Sequence, residues 1–369
     1  MKHFAPQTVE VCEACASFWT TQRNEMRKVF PLLPLRLFVP LRCSVLTNSH
    51  LKFWLRLWRA VRSICLSVGI LLSGDASAAS PPSIVIEHQA DHLEIKVGGQ
   101  RFASYVFRDE KIQRPYFANV MTPDGIQVTR RHPPHANDGS SDHATMHPGI
   151  WLAFGDLSGA DFWRNKAHVE HVRFVQKPAT KHNHASFTVL NRYRKGDRII
   201  CTQSCLYKIL AKPDSTVLLI DSTFQSDNEF YFGDQEEMGL GVRVTDAIRV
   251  KGGNGRISNS EGRVNERQVW GKQAQWCDYS GVINKHRVGM LLVPSQKNFR
   301  PSWFHARDYG ALVANPFGRK AFTRGTPSKV VVKPGEKFRL RFAVVIYSVP
   351  ETAVFDLSRA YQDAAKIIE

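Results

Sequence analysis

The chain has few cysteines, no long apolar run after its first eighty residues and almost no helical periodicity. Each lack removes a class of protein. Seven cysteines occur in 369 residues. Cys12, Cys15, Cys43 and Cys65 precede Ala78, and Cys201, Cys205 and Cys277 follow it. Three thiols spread over the rest of the chain do not make a disulfide framework. Cys201 and Cys205 sit four apart in an expected strand, which puts their Cα atoms roughly 13 Å apart at about 3.3 Å per residue, beyond the reach of a bridge. A link from either to Cys277 stays open; three buried thiols is the expectation. After Ala78 no apolar run approaches the ~18 residues of a membrane helix, so no stable membrane insertion is expected there. Phosphate-binding glycine loops, a His-Glu-x-x-His zinc motif, a Gly-x-Ser-x-Gly elbow and paired Cys-x-x-Cys motifs are also missing, which counts against nucleotide-dependent and zinc-protease chemistry.

What is present is basic. The formal charge is +17. Residues 1–78 hold 10 Lys/Arg against 4 Asp/Glu, or +6, leaving 40 against 29, or +11, for the remainder. No block of consecutive basic residues concentrates that excess, so it reads as a solvated surface and not as a nucleic-acid site. Part of it belongs to a leader. Lys52, Arg56, Arg59 and Arg62 precede the apolar stretch Ile64–Leu72; Ser73-Gly74 breaks it, and Ala76-Ser77-Ala78 follows. Basic, apolar, then A-x-A is the order of a secretory signal peptide. Residues 1 to about 50 form an extension ahead of it. The expectation is an N-terminal extension and signal peptide over 1–78, then one exported domain over 83–369, periplasmic or extracellular.

In that domain period-two alternation dominates. Leu93, Ile95 and Val97 alternate with Glu94 and Lys96, Gly98-Gly99 reads as a turn, and Phe102 to Phe107 as the returning strand. Phe187 to Arg194, Ile199 to Leu210, Val217 to Gln225, Lys329 to Val332 and Lys337 to Tyr347 read the same way, separated by Lys195-Gly196-Asp197, Pro213-Asp214 and Lys333-Pro334-Gly335-Glu336. Only the C-terminus reads as a helix, from the spacing of Ala353, Val354, Leu357, Ala360, Tyr361 and Ala364 after Pro350. No linker divides residues 83–350. The expected fold is all-β: a large antiparallel β-sandwich with one C-terminal helix.

Irregular stretches at 111–165, 226–240, 251–281 and 294–320 hold most of the tryptophan, histidine and asparagine, and loops on a rigid scaffold commonly carry function. His143 and His147 lie four apart, with Pro148-Gly149 favouring a loop; either imidazole could move protons. Asp156 suits a turn, and Asp161 beside Trp163 suits a substrate contact. Glu236 and Glu237 are adjacent carboxylates, of which an extended backbone would aim at most one at a site, there to serve as acid or base. Trp270, Trp276, Asp278 and Tyr279 combine aromatic faces with carboxylates, a pairing that suits sugar rings. His305 and Arg307 share one face of an extended segment and could bind a carboxylate or polarise a carbonyl. Asn315-Pro316-Phe317-Gly318 follows.

Several of these segments resemble the ordered motifs of a bacterial family called PmoA-like, or "methane oxygenase PmoA": Arg114-Pro115-Tyr116-Phe117, Thr122-Pro123-Asp124-Gly125, His147-Pro148-Gly149-Ile150-Trp151, Gly155-Asp156 with Phe162-Trp163, and Arg307-Asp308-Tyr309-Gly310 with Asn315-Pro316-Phe317. The likeness spans roughly residues 95 to 350. That family's motif before the tryptophan is of the form Asp-His-Pro-His-His-Arg-Gly; here Met146 and Pro148 stand in place of a His and the Arg, leaving His143 and His147 as the matching positions. A methane monooxygenase subunit is a bundle of membrane helices, whereas this chain reads as strands, so the label is a misnomer. The resemblance implies a galactose-mutarotase-like supersandwich and an association with sugar-processing enzymes.

Together these readings give an exported carbohydrate-active protein, leaning towards an enzyme: an epimerase, lyase or hydrolase. His147, His305, Glu236, Glu237 and Arg307 would be catalytic. His143, Trp151, Asp161, Trp163, Trp270, Asp278 and Asn315 would bind a carbohydrate or other small polar substrate. One alternative is a non-catalytic glycan-binding module. Another is an oxidoreductase with a metal on His143, His147 and His305; no cofactor is otherwise expected.

Overall fold

A computed structural model describes residues 81–369 except 136, 137 and 139–141; the leader expected over 1–78 lies outside the described residues. Two large antiparallel sheets dominate. The first runs, in spatial order, β1 (Ile84–His88), β2 (His92–Val97), β3 (Gln100–Val106), β4 (Tyr116–Ala118), β5 (Ile150–Phe154), β11 (Met238–Arg243), β17 (Ala311–Asn315), β16 (Trp303–Arg307) and β13 (Lys272–Gln273). The second runs β12 (Arg256–Asn259), β14 (Cys277–Ile283), β15 (His286–Pro294), β19 (Phe338–Pro350), β9 (Ser215–Gln225), β8 (Arg198–Ala211), β7 (His184–Lys195) and β6 (His168–Lys181). β10 (Phe230–Phe232) and β18 (Val330–Val332) form a small ribbon.

Side chains alternate across a strand, so each sheet has an inner and an outer face. Inner residues of both sheets form one core: Ile150, Leu152 and Phe154 of β5 and Leu240 and Val242 of β11 pack with Phe187, Tyr207, Phe224 and Met290. Rings cross the gap directly, as in Tyr105–Phe187 at 5.0 Å and Phe154–Phe224 at 5.6 Å. The expected β-sandwich is thus present, with its three cysteines free and buried. No helix among the described residues is long and apolar enough to cross a membrane.

The C-terminal helix Leu357–Ile368 starts later than expected, where Asp356 accepts a hydrogen bond from the Arg359 N–H, a cap worth about 1 kcal/mol. Ala364 and Ile368 pack on Val217, Leu291 and Val345, outer residues of the second sheet. The turn at 333–336 does not close a hairpin. β18 pairs with β10, whereas β19 lies between β9 and β15. Two short helices, Asn265–Val269 and Arg319–Thr323, were not expected; five residues are too few to display a helical period.

Candidate functional site

The outer face of the first sheet differs from the other surfaces in what it carries. Across β4, β5, β11, β17 and β16, the register aligns Tyr116, Trp151, Gly241, Val313 and His305 in one row. The adjacent row holds Arg243, Ala311 and Arg307. All of these point away from the core because their neighbours Ile150, Val242, Leu312 and Ala306 point into it.

The floor is aromatic. The Trp151 indole lies across Gly241, where an added Cβ would come within 2.6 Å of the ring. His147 stacks on the indole at 4.9 Å and 13°, and Trp163 meets both edge-on. His143 stacks in turn on His147, at 5.0 Å. Arg114 ties the two loops together: its guanidinium donates to the carbonyls of Met146, Phe162 and Trp163 and to Asn165 Oδ1. Burial pushes this arginine's pKa down to about 10.

Polar side chains stand on this floor. His305 Nδ1 lies 3.3 Å from Glu236 Oε2, and Arg307 Nε donates to His305 Nε2 at 3.3 Å. Arg307 also donates to Glu236 at 3.2 Å and to Glu266 at 2.8 Å, and its guanidinium sits 5.9 Å from the Trp270 ring. Glu237 pairs with Arg164, which also holds Asp161 at 3.1 Å. Asp142 receives both terminal nitrogens of Arg243, at 2.9 and 3.2 Å. The Arg243 guanidinium lies 4.6 Å from the Tyr309 ring.

Charge states follow from these contacts. Burial lowers the His305 pKa, and Glu236 only partly restores it. The facing His305 first, and then Arg307, hold Glu236 below the usual carboxylate range against the opposite pull of burial. At neutral pH the pair is therefore a neutral imidazole beside a carboxylate. His147 is driven far lower by burial, and then by the nearby Arg243.

The expected site residues divide accordingly. His305, Glu236, Arg307 and Trp270 come together. Glu237 is on the same side but is engaged by Arg164. Both adjacent carboxylates serve this side because the backbone at 234–237 is bent and not extended, so strand alternation does not apply. His143 stands at the rim. His147, Trp151 and Trp163 are 4%, 1% and 1% exposed; their faces are spent on each other, so they build the floor and offer a sugar no stacking surface. Asp161 is a turn former: its Oδ1 accepts from the N–H groups of Trp163 and Arg164. Asn315 is fully buried, its amide donating to the carbonyls of Gln235 and Glu236 and accepting from Phe317 and Gly318. It positions the Glu236 loop and contacts no substrate.

Asp278 is elsewhere. It lies on the outer face of the second sheet, 1% exposed, and accepts from the Tyr347 hydroxyl, whose ring stacks on Phe355. Burial raises its pKa to about 7. The folded protein holds this proton to about pH 7, while the unfolded chain releases it near pH 4. Below about pH 4 the penalty is absent; it grows as pH rises and is complete above about pH 7, on the order of 4 kcal/mol. Asp278→Asn is expected to gain stability relative to the parent by a few kcal/mol between pH 4 and 8, read from urea midpoints at both pH values. An unchanged difference would show that the carboxyl binds its proton equally in the folded and unfolded chain.

Sequence reasoning missed Arg243, Tyr309 and Glu266. Arg243 carried a signal: Gly239, Gly241 and Arg243 alternate with Leu240 and Val242, an unusual series for the second face of a strand. Gly239 has φ of +109° and Gly241 makes room for Trp151.

The chain shows a distant likeness to solved structures. A galactose mutarotase-like protein from Clostridium acetobutylicum is 11% identical, with 73% of this chain and 99% of that chain covered and a TM-score of 0.39. A second, from Lactobacillus casei, is 8% identical, covering 72% and 100%, with a TM-score of 0.36. The GH36 α-galactosidase AgaB of Geobacillus stearothermophilus is 14% identical at a TM-score of 0.39, and this chain covers 72% of itself but only 41% of that enzyme. No curated protein matches. The model of one family, described as a family of unknown function, matches residues 92–354, and the chain accordingly belongs to DUF6807.

Proposed function

We propose that this protein is an exported carbohydrate-active enzyme that performs acid–base chemistry on the outer face of its first sheet. One observation carries the reading: His305, Glu236, Arg307 and Glu266 form a continuous polar chain on that face, beside the partly buried Trp270 ring. A neutral imidazole against a carboxylate is a proton-transfer pair, and an aromatic face beside it suits the C–H side of a sugar ring. The substrate is uncharged. Arg307, Arg164 and Arg243 are each matched by carboxylates, so these three arginines present paired donors and acceptors and no unmatched positive charge for an anion. The resemblance of its motifs to the PmoA-like family fits this reading, with the methane-oxygenase label set aside. The metal reading draws no support from placement. His143 and His147 stack face to face, and among the described residues no three His, Cys, Asp or Glu side chains gather as ligands.

Calorimetry against a panel of neutral and uronic oligosaccharides tests the proposal. Neutral glycans are expected to bind, and Trp270→Ala to weaken them about two- to tenfold, the worth of one aromatic contact. Binding of uronates alone, or of no glycan, would contradict it.

A further inference from the structure

We infer that His143 is a second residue of this face that exchanges protons with substrate, besides the His305–Glu236 pair, with Asp142 and Arg243 as its positioning residues; the inference rests on the carbohydrate-active reading above. The three imidazoles of the cluster differ in what their nitrogens face. His147 is buried in the floor. His305 has one nitrogen against Glu236 and the other against Arg307. His143 alone combines one oriented nitrogen with an open edge: Nδ1 lies 2.8 Å from Asp142 Oδ2, and the side chain is 41% exposed.

The support behind it is rigid. The Asp142 carboxylate is gripped by both terminal nitrogens of Arg243, a side chain with 0% exposure at the C-terminal end of β11. Partial burial would raise the Asp142 pKa, but hydrogen bonds from His143 and Arg243 outweigh it and keep the group ionised. The imidazole is also braced by two rings nearly parallel to it, His147 at 5.0 Å and Tyr309 at 5.9 Å, which lie 6.5 Å from each other. His143 also adopts φ of +52°, a left-handed backbone that residues other than glycine rarely take and that recurs at functional sites. Its carbonyl accepts from the N–H groups of Met146 and His147, which locks the turn.

The chemistry follows from the tautomer. An Nδ1–H donated to Asp142 leaves the Nε2 lone pair facing solvent, and the carboxylate stabilises the imidazolium when it forms. In the step it serves, a substrate O–H bond breaks as the Nε2–H bond forms, and the electron pair stays on the substrate oxygen. The Nε2–H bond then breaks as the proton returns to a substrate oxygen, which restores the neutral imidazole.

Two measurements test this. Diethyl pyrocarbonate labels open, neutral imidazole nitrogens. Mass spectrometry is expected to show His143 labelled at least tenfold faster than His147 and His305, and several-fold more slowly in Asp142→Asn, with Asp142→Glu restoring part of the rate. On a glycan that the parent turns over, His143→Asn, a residue that tolerates this backbone, is expected to lower kcat by 10²-fold or more with KM within threefold. Unchanged labelling in Asp142→Asn, or unchanged kcat in His143→Asn, overturns the inference. A parent that turns over no glycan overturns the carbohydrate reading instead, and labelling alone then decides the dyad.

Discussion

Glu236→Gln is expected to lower kcat on a neutral glycan by about 10²- to 10⁴-fold, the usual contribution of a positioned acid or base, while the protein stays folded. Gln keeps the shape of the side chain and removes its charge. The parent carboxylate faces His305 Nδ1 at 3.3 Å and accepts from Arg307 at 3.2 Å. Without it, His305 loses the main group that raises its pKa, leaving burial and Arg307 to lower it against the weaker pull of Glu266. Activity that needs neutral His305 and ionised Glu236 falls as the pH drops through the His305 pKa, below about 6.5, the ordinary histidine value. In the variant this acid limb moves to still lower pH. A pH–rate profile of both proteins measures the shift; a limb that stays in place, with undiminished kcat, would remove Glu236 from the chemistry.

Trp151→Ala is expected to cost about 3–5 kcal/mol of stability, the range for emptying a large buried aromatic site. The ring is 1% exposed and lies between Gly241 on one side and His147 on the other. No neighbour can collapse into the space easily. Gly241 has no side chain, and His147 is held by the backbone bond from its N–H to the His143 carbonyl. Chemical denaturation reads the loss, and a cost under about 1 kcal/mol would mean that the floor is loosely packed. Gly241→Val tests the same contact from the other side, since its Cβ would meet the indole at 2.6 Å.

How much of this was legible in the sequence depended on which faces of each strand are covered. β2, β7 and β8 alternate because one face meets the core and the other meets water or a partial cover, and the periodicity is plain. β5, β16 and β17 were hidden inside stretches read as irregular, and β11 in part, its strand being read only from Leu240. They lie at the centre of the first sheet with both faces covered, the inner by the core and the outer by the site itself, so their burial is nearly continuous and period two disappears. The residue types of the site were visible one motif at a time. Their convergence was not, because it is long-range: Glu236 and Arg307 are 71 residues apart, and Asp142 and Arg243 are 101 apart. Asp278 shows the converse. It sat beside two tryptophans and a tyrosine in the chain, yet strand β14 places it on the other sheet.

The proposed substrate site is the outer face of the first sheet. A crystal structure with a glycan taken from the binding panel tests it most directly. The sugar is expected against Trp270, within hydrogen-bond reach of Glu236, Arg307 and His143. A sugar bound elsewhere, with that face empty, would contradict that placement.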